Sequence, residues 1–459
     1  MKQHRVVIVG GGFAGLAAAR GLRRAGVQIT LVDRTNHHLF QPLLYQVAMG
    51  GLNPAEIASP IRNVLRSQKN IQCWMAEVTA IDPEGRRVEL DGGRQTLEYD
   101  SLILAAGGRT SYFGRNEWEK VAPGLKTLED ALDIRQRVLL ALERAERCDD
   151  PEQRQKLMTM VVIGGGPTGV EMAGGLAELT RSVLRWDFRS IQSQRARVIL
   201  LEGGPRLLTA FPEKLSEYTR RRLTHMGVEV LLGERVQDLQ AGKIQTDQRE
   251  IVAENIIWAA GVGGSPIAAL FACETDRAGR ILVEPDLRVK GYENIYCLGD
   301  MASYAHPHTF GGKPLPGVAP VAMQHGKWAA RNLVLQLKGQ PTRPFQYFDK
   351  GSMATIGRTS AVAMSQGLQF VGLPAWFAWL FIHLIYLVDF QNQILVMMRW
   401  VWAYFTWKWN ARLITRIPPP QSCQSADPTP VAPTPEEPAQ SQSTSPPQAE
   451  AGEPIAGDS

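Results

Sequence analysis

Two stretches of the chain repeat one pattern of apolar and polar positions. Each begins with a short apolar run and passes through a glycine cluster into a segment with apolar residues at helical spacing. Each then ends in a second apolar run that an acid follows. The predicted elements are strand Arg5–Val9, helix Ala14–Ala25, strand Gln28–Val32 and Asp33 in the first copy, and strand Thr159–Ile163, helix Gly169–Thr180, strand Arg197–Leu201 and Glu202 in the second. Each copy is a β-α-β unit, which requires parallel strands joined by a right-handed crossover.

Each copy is followed by an apolar run that ends in glycine, at 101–107 and at 255–261. A third apolar run, 294–298, lies further along the chain and is followed by Gly299 and Asp300. Their order predicts an α/β fold with two Rossmann-type dinucleotide-binding domains, the second inserted in the first, and a C-terminal amphipathic helical membrane anchor. The predicted segments are 1–125 and 286–370 for the first domain, 126–285 for the inserted domain, 371–416 for the anchoring helices and 417–459 for a disordered tail rich in proline and acids.

The first glycine cluster has the spacing G-x-G-x-x-G between its strand and its helix. Gly10 permits a tight turn, Gly12 lets a pyrophosphate approach the backbone, and Gly15 lets the helix pack closely on the strand. Phe13 directly precedes the predicted helix and Ala14 begins it, and the free N–H groups and positive end of the helix favour phosphate. The cluster therefore predicts a dinucleotide site.

The second glycine cluster repeats this arrangement with Gly164, Gly166 and Gly169. The second copy is longer than the first, and residues 181–194 are expected to extend its helix. Two dinucleotide sites in one chain indicate two cofactors, and FAD with NAD(P)H is the natural pair for hydride transfer.

An acid ends each copy, at Asp33 and at Glu202. Asp33, 23 residues after Gly10, stands where an acid accepts hydrogen bonds from a ribose. Glu202 would accept from a ribose 2′-hydroxyl and repel a 2′-phosphate, which favours NADH over NADPH. A 2′-phosphate would find a cation in Arg206, four residues after Glu202, so the sequence does not exclude NADPH as the substrate.

Composition and charge narrow the class of protein. The 459 residues are 44% hydrophobic and 21% charged, which excludes a fibrous or wholly disordered chain. The five cysteines include no CxxC pair, which argues against a zinc site, a local redox disulfide and a disulfide-rich secreted domain. His306 and His308 flank Pro307 with no further ligand cluster nearby, so no metal site is predicted.

The charge is unevenly distributed along the chain. Residues 417–459 hold six acids and no Lys or Arg, so the rest of the chain has a net charge of +11. Such a body favours anionic partners, namely nucleotides and phospholipid headgroups. The basic residues do not form a run, so nucleic acid is not an expected partner.

Residues 370–415 hold six of the eleven tryptophans and form a separate module. The apolar stretches 374–388 and 394–407 are too short to cross a bilayer comfortably, which predicts two helices lying in the membrane interface. The side chains expected at headgroup level or near anionic lipid are Trp376, Trp379, His383 and Tyr386 on one face, the polar stripe Asn392, Arg399, Thr406 and Asn410, and the cations Lys408, Arg412 and Arg416. A helix pair packed in a core or dimer interface and a spanning hairpin are the alternatives.

Several motifs together resemble one family. Residues 10–15, 40–48, 164–171, 258–262 and 298–300 are similar to type II NADH dehydrogenase, the non-proton-pumping, monotopic NADH:quinone oxidoreductase. Residues 319–324, Ala-Pro-Val-Ala-Met-Gln, resemble the quinone-site motif Ala-Gln-x-Ala-x-Gln of that family. The resemblance runs from Arg5 to about residue 414.

The resemblance implies a role for each residue that matches a motif. The FAD-binding set is Gly10, Gly12, Phe13, Ala14, Gly15, Asp33, Gly107, Gly299 and Asp300, and the NADH-binding set is Gly164, Gly166, Gly169, Glu202 and Gly261. Gln324 would line the quinone site, and Glu171 would lie near flavin and nicotinamide as a proton relay. A plainer alternative for Glu171 is an acid that favours the helix dipole. Pro320 replaces a glutamine of the family motif and 390–393 lack the family's basic stretch, so the identity of the quinone stays open.

The resemblance implies an FAD-dependent enzyme of the respiratory chain that transfers a hydride from NADH to FAD and two electrons to a membrane quinone. The N-terminus lacks an apolar signal segment, so the enzyme is expected on the cytoplasmic face of the cell membrane, and a homodimer is compatible with it. The alternatives are an NAD(P)H-dependent reductase of a quinone precursor, a sulfide:quinone oxidoreductase, which needs redox cysteines near the flavin, and a flavin-bearing binding or signalling protein.

Overall fold

The structure is a computed structural model that describes residues 3–305, 312, 314–406, 409 and 411–415. Its helices are, in chain order, α1 (Phe13–Gly21), α2 (Leu44–Ala48), α3 (Pro54–Ile57), α4 (Ile61–Val64), α5 (Leu128–Glu146), α6 (Pro151–Leu157), α7 (Pro167–Glu178), α8 (Glu213–His225), α9 (Ala319–Leu337), α10 (Leu373–Tyr386) and α11 (Phe390–Thr406).

The strands are, in chain order, β1 (His4–Val9), β2 (Val27–Asp33), β3 (His37–Leu39), β4 (Ala58–Pro60), β5 (Ile71–Met75), β6 (Val78–Asp82), β7 (Arg87–Leu90), β8 (Gln95–Glu98), β9 (Ser101–Leu104), β10 (Arg109–Thr110), β11 (Thr159–Ile163), β12 (Arg197–Glu202), β13 (Val228–Leu232), β14 (Val236–Gln240), β15 (Lys243–Thr246), β16 (Glu250–Val252), β17 (Asn255–Trp258), β18 (Val262–Gly263), β19 (Ile281–Leu282), β20 (Ile295–Cys297), β21 (Ala302–Ser303), β22 (Ser352–Thr355), β23 (Ala361–Ser365) and β24 (Leu368–Gly372).

The first parallel sheet has the strand order β20-β9-β1-β2-β5. Strand β1 lies between β2 and β9, with Val6 opposite both Ile29 and Ser101. Strand β20 comes late in the chain and pairs with β9, placing Ile295 opposite Leu102. The chain between β9 and β20 therefore leaves this sheet and returns to it.

The second parallel sheet forms within that excursion, in the order β13-β12-β11-β17. Its central strand β11 is buried along its whole length, as expected for a strand covered on both faces. Strands β10 and β18 pair antiparallel, with Arg109 opposite Gly263, and so join the two halves of the molecule.

Small residues let helices pack closely over the first sheet. A Cβ on Gly326 of α9 would lie 2.2 Å from the Ala14 carbonyl oxygen of α1, and one on Gly21 would lie 2.6 Å from the Ala330 Cβ. Helix α1 ends at Gly21 rather than at Ala25. The chain continues in tighter turns, in which the Ala25 N–H donates to the Leu22 carbonyl.

The expected helical extension over 181–194 is wrong beyond Val183. Helix α7 passes into a π-helical turn, Leu179–Val183, and the chain then leaves the helix. The carboxylate of Glu146 accepts the N–H groups of Arg189, Ser190 and Ile191 at 2.7, 2.8 and 2.9 Å. Consecutive N–H groups that converge on one carboxylate are not available for helical hydrogen bonds, so this segment forms a loop.

The two C-terminal helices turn the predicted aromatic face toward the protein, which corrects the expectation that it lies at headgroup level. Trp376 and Trp379 are buried in a core cluster that also contains α2 and α7 residues, and His383 stacks on Trp379 with ring centroids 4.1 Å apart. The Arg399 guanidinium of α11 pairs with Glu56 of α3. Arg412, which was expected near lipid, pairs with Asp187.

Within the polar stripe of α11, Asn392 likewise faces inward, because its amide donates to the Ser59 hydroxyl at 3.2 Å, whereas the Thr406 hydroxyl donates to the Trp402 carbonyl of its own helix. Among the described residues, no helix has the length and apolar character that crossing a membrane requires. The predictions made for His306, His308, Trp407, Lys408, Asn410, Arg416 and the tail 417–459 fall outside the described residues.

Candidate functional site: two glycine loops and a half-buried carboxyl

The first glycine loop connects β1 to α1. Gly10 has φ +106°, and a Cβ there would lie 2.4 Å from the Ala105 carbonyl oxygen of the neighbouring strand. A Cβ on Gly15 would lie 1.8 Å from the Gly10 carbonyl oxygen. Apart from its chain neighbours, no atom of the described residues lies within 4 Å of the position of a Cβ on Gly12. The loop is therefore tight where the backbone packs on itself and open where a pyrophosphate would approach.

The second glycine loop, between β11 and α7, repeats this geometry. Gly164 has φ +115°, and its Cβ would lie 2.8 Å from the Ala259 carbonyl oxygen. A Cβ on Gly169 would again lie 1.8 Å from the carbonyl oxygen of the first glycine, and Gly166 again faces open space. The first turns of α1 and α7 contain no acid, so both helix N-termini keep their positive character for an anion.

Each loop is closed by the acid that ends the next strand. Asp33 Oδ2 accepts the Gly11 N–H at 2.6 Å, and Glu202 Oε2 accepts the Gly165 N–H at 2.5 Å. The other oxygen of Glu202 accepts the Gly204 N–H at 2.6 Å. Both carboxylates thus lie beside the open side of a loop and retain lone pairs for a ribose hydroxyl.

Arg206 is occupied within its own loop. Its Nη1 donates to the Phe211 carbonyl at 2.7 Å and to the Ser216 hydroxyl at 2.6 Å, and its Nη2 donates to the Thr209 carbonyl at 3.0 Å. The guanidinium therefore uses several of its N–H donors within the protein. This makes Arg206 a poorer partner for the 2′-phosphate of NADPH.

The strands that close the first site bring its remaining predicted residues together. A Cβ on Gly299, which has φ +69°, would lie 3.5 Å from the Ala14 Cβ, and one on Gly108 would lie 3.2 Å from the Asp300 Cβ. The Lys126 ammonium lies 3.9 Å from the Asp300 carboxylate. The glycine loop, Gly299 and Asp300 therefore line one region. Gly107 (φ +72°) and Gly261 (φ +78°) occupy backbone conformations that favour glycine.

Aromatic rings pack beside the first loop. Phe13 contacts His38 and Phe40 edge to face, with ring centroids 4.9 and 5.8 Å apart. His38 Nδ1 lies 3.1 Å from the Gly11 carbonyl oxygen, and its Nε2 is buried with no hydrogen-bond partner among the described residues. Burial lowers the pKa of His38 to about 4. The loop, the acid and this unpartnered nitrogen fit a bound dinucleotide.

Glu171 lies one turn beyond the second glycine loop, on α7. Its Oε1 accepts the Thr355 N–H of β22 at 3.3 Å. The side chain is half-buried, and burial raises the pKa of its carboxyl to about 8. Glu171 is the fifth residue of α7 and lies beyond the turn in which an acid interacts well with the helix dipole. Its position in the helix therefore gives little support to the alternative of an acid that stabilises the helix end.

The Gln324 side chain of α9 contacts the segment that follows this helix. Its Nε2 donates to the Phe348 carbonyl at 2.9 Å, and its Oε1 accepts the Phe348 N–H at 3.0 Å. The amide thus forms a paired hydrogen bond with the backbone. Pro320 is in the first turn of α9, where a missing N–H costs no helical hydrogen bond.

Tyr45 and Gln46 belong to the same hydrogen-bond network as Glu171, although the sequence pattern assigns neither of them a role. The Tyr45 hydroxyl of α2 lies 3.1 Å from Thr355 Oγ1, and the Gln46 amide donates to the Tyr45 hydroxyl at 3.0 Å. The available signal was a polar pair inside the apolar run 43–48. Such a pair is also found at the ends of ordinary helices, so the pattern alone does not identify a site.

Two dinucleotide loops of equal geometry, on two parallel sheets of one chain, define a pyridine nucleotide-dependent flavoprotein. Residues 4–326 match the family model for pyridine nucleotide-disulphide oxidoreductases, and residues 350–407 match the model for the NDH2 C-terminal domain.

The chain belongs to the type II NADH:quinone oxidoreductase family. It is 45% identical over 428 residues to the type II NADH:quinone oxidoreductase Ndh of Mycobacterium tuberculosis, which covers 90% of this chain and 91% of that protein. It is 44% identical to NdhA of the same organism, over 87% of this chain and 86% of that protein.

Solved structures share the fold at lower identity. NDH2 from Plasmodium falciparum, solved in complex with NADH, superposes with a TM-score of 0.82 at 21% identity, covering 90% of this chain and 100% of that chain. The sulfide:quinone oxidoreductase of Aquifex aeolicus superposes with a TM-score of 0.62 at 18% identity, covering 90% and 93%.

Proposed function

We propose that this protein is an FAD-dependent enzyme that oxidises NADH and reduces a membrane quinone without pumping protons. The observation that carries the proposal is the paired geometry of the two glycine loops, each closed by its own acid. Relatives named type II NADH:quinone oxidoreductase, which match along most of the chain, support the same function. When bound, FAD supplies the chemistry that links a hydride donor to a two-electron acceptor.

The residues divide between the two nucleotides. Gly10, Gly12 and Gly15 with Asp33 would hold FAD at its pyrophosphate and ribose, and Gly299, Asp300 and Gly107 would contact it further along. Gly164, Gly166 and Gly169 with Glu202 would hold NADH, and Gly261 would lie beside it. The proposed domain boundaries are those predicted from the sequence, 1–125 with 286–370, 126–285 and 371–416.

Glu171 would supply a proton when the quinone is reduced. A carboxyl whose pKa is raised to about 8 holds its proton at neutral pH and can release it to an acceptor of rising basicity. Gln324 would border the quinone site through the segment it binds at Phe348.

The test is a steady-state assay of the purified holoenzyme with a short-chain quinone. NADH oxidation that depends on quinone, with NADPH a poor substitute, is the expected result. Sulfide serves as the alternative donor. Quinone reduction by sulfide but not by NADH would replace the proposal with the sulfide:quinone reaction. Turnover of NADH without dependence on any quinone would overturn it.

We further propose that α10 and α11 seat the enzyme on a membrane surface, on its cytoplasmic face. The support is that the two helices bury Trp376 and Trp379 against the protein and turn other large apolar side chains outward. Phe381 is 65% exposed and Phe405 is 78% exposed. Helix α10 contains no Asp, Glu, Lys or Arg, and α11 contains only Arg399, which is paired with Glu56. Helices with this arrangement lie in the interface of a bilayer.

Flotation with vesicles of zwitterionic and anionic phospholipid tests the anchor. The double variant Phe381→Asp with Phe405→Asp is expected to lose vesicle binding, while Val252→Asp, an exposed apolar position on β16, keeps it. Vesicle binding unchanged in the double variant, together with conversion of a dimer into a monomer, would assign the surface to a homodimer interface instead.

A further inference from the structure

A chain of hydrogen bonds connects the C-terminal helix α11 to Glu171. The Trp400 indole N–H donates to Gln46 Oε1 at 2.8 Å, and the Gln46 amide donates to the Tyr45 hydroxyl at 3.0 Å. The Tyr45 hydroxyl lies 3.1 Å from Thr355 Oγ1. The Thr355 N–H donates to Glu171 at 3.3 Å. Four different segments of the chain meet in this series.

Tyr45 occupies the middle of the series, and its partners fix the direction of its hydroxyl. Because the Gln46 amide donates to the hydroxyl oxygen, the hydroxyl proton is free to point at Thr355 Oγ1. Burial raises the pKa of Tyr45, so the hydroxyl stays neutral. The ring is held as well, because its centroid lies 6.5 Å from that of Trp379, which lies 5.7 Å from that of Trp400.

We propose that Tyr45 is a positioning residue for Glu171. Its hydroxyl holds Thr355, whose peptide N–H holds the Glu171 carboxyl, and the Gln46–Trp400 pair makes this arrangement depend on the seating of α11. This inference rests on the proposed function, because it assigns a support to the proton-bearing group of that reaction. Tyr45 acts through Thr355 and does not itself transfer the proton.

In any pH profile, the titration of Glu171 must be distinguished from the titration of other ionisable groups near this network. On the elements packed around α7, they are Tyr45 of α2, Glu178 of α7 itself, Arg222 of α8 and Arg358 after β22. Burial raises the pKa of Glu178 to about 7, and the Arg358 N–H donates to it at 2.5 Å. Glu178→Gln therefore serves as the variant that removes the competing titration.

The test compares Tyr45→Phe with Tyr218→Phe across a pH series. Tyr218 is a matched control, because its hydroxyl is also paired with a hydroxyl of the β22–β23 hairpin, lying 3.0 Å from Ser360 Oγ in the turn that follows Thr355. The readout is the rate at which a short-chain quinone reoxidises the reduced flavin. A hydrogen bond to the charged form lowers the pKa of an acid, so loosening the Thr355 contact is expected to raise the midpoint of the alkaline limb by about one pH unit in Tyr45→Phe. Tyr218→Phe and wild type should superimpose.

A background that lacks the carboxyl makes the test specific. Tyr45→Phe should change nothing when added to E171Q, because the two effects act through one group. Thr355→Val, which keeps the peptide N–H but removes Oγ1, should give a shift in the same direction and replaces Tyr45→Phe if that variant loses flavin. Trp400→Phe should give a smaller shift of the same sign.

Three results would overturn the inference. They are a Tyr45→Phe profile that superimposes on wild type, an equal shift in Tyr218→Phe, and a shift that persists in the E171Q background. An unchanged Trp400→Phe profile would remove the link to α11. Failure of wild-type flavin to be reoxidised by quinone is a separate outcome, because it refutes the proposed function itself.

Discussion

The two glycine loops are nearly the same structure, and they differ in the helix that follows. Gly10 and Gly164 have φ angles of +106° and +115°, and in each loop the N–H of the second glycine donates to the acid at the end of the next strand. The sixth residues of the two loops, Gly15 and Gly169, would each place a Cβ 1.8 Å from a carbonyl oxygen. What the loops share is therefore what binding a dinucleotide requires.

Among the positions at which the two helices differ, one places an acid in α7, where Glu171 corresponds to Ala17 of α1. A Cβ on Gly326 of α9 would lie 2.8 Å from the Ala17 Cβ, so the first helix uses a small side chain for close packing. The corresponding side chain of the second helix contacts Thr355 and carries a half-buried carboxyl whose pKa is raised. The first loop and its helix thus serve binding and packing, whereas the second loop and its helix also position the acid Glu171.

The largest predicted effect comes from blocking each loop separately. Gly15→Ala is expected to abolish flavin binding and all activity, because the new Cβ overlaps the Gly10 carbonyl. Gly169→Ala should keep the flavin and slow its reduction by NADH by about 100-fold, which corresponds to ~2.7 kcal/mol of lost phosphate contacts. Flavin absorbance and anaerobic reduction rates measure the two effects.

Gly26→Ala provides the control for both substitutions. In the part of the chain that the structure describes, only the neighbouring residues 25 and 27 can lie within 4 Å of the position of its Cβ, and its φ lies outside the left-handed region. Its flavin content and reduction rate should match wild type. Loss of flavin in Gly169→Ala as well would show that the second loop is needed for folding and not for NADH alone.

The next effect concerns the position at which the helices differ. Glu171→Gln is expected to slow quinone reduction at neutral pH by about 100-fold, the typical contribution of a positioned proton donor. Because the pKa of Glu171 is raised to about 8, the carboxyl loses its proton as the pH rises through that value. The wild-type rate should therefore fall on the alkaline side, and the variant should show no such limb.

Reduction of the flavin by NADH is the internal control for Glu171→Gln. It should remain close to the wild-type rate, because the glycine loop and Glu202 are unchanged. Equal slowing of both half-reactions would indicate that Glu171 shapes the nucleotide site instead.

A smaller effect is expected from the acid that closes the second loop. Glu202→Gln keeps an oxygen for the Gly165 N–H, loses the acceptor of the Gly204 N–H and removes the charge that repels a 2′-phosphate. The preference for NADH over NADPH, measured as a ratio of kcat/KM, should fall by about tenfold, or ~1.4 kcal/mol. The preference should not invert, because Arg206 is held by Phe211, Ser216 and Thr209. Inversion would show that Arg206 leaves these partners to bind phosphate.

The repeated β-α-β pattern and its glycines could be predicted from sequence because they are local. Strand β11 has the predicted bounds Thr159–Ile163, and β1 and β12 each differ from the prediction by one residue. The glycine spacing, strand ends and acids are all set within short stretches of chain, so propensity and pattern determine them.

The orientation of the C-terminal helices could not be predicted in this way. Trp379 and Phe381 are both apolar residues of α10, yet the first is 1% exposed and the second is 65% exposed. Which face turns inward depends on partners distant in sequence, such as Glu56 for Arg399. The Tyr45–Thr355 contact spans 310 positions, so its existence is a property of the fold.

The most direct test of the account is anaerobic stopped-flow spectroscopy of the flavin, with NADH followed by a short-chain quinone, below and above pH 8. The account predicts rapid bleaching by NADH, slower bleaching by NADPH and full return of colour with quinone, the return being slower at the higher pH. Bleaching without return on addition of quinone would contradict the assignment of the acceptor. Absence of bleaching by either nucleotide would contradict the role of the second glycine loop.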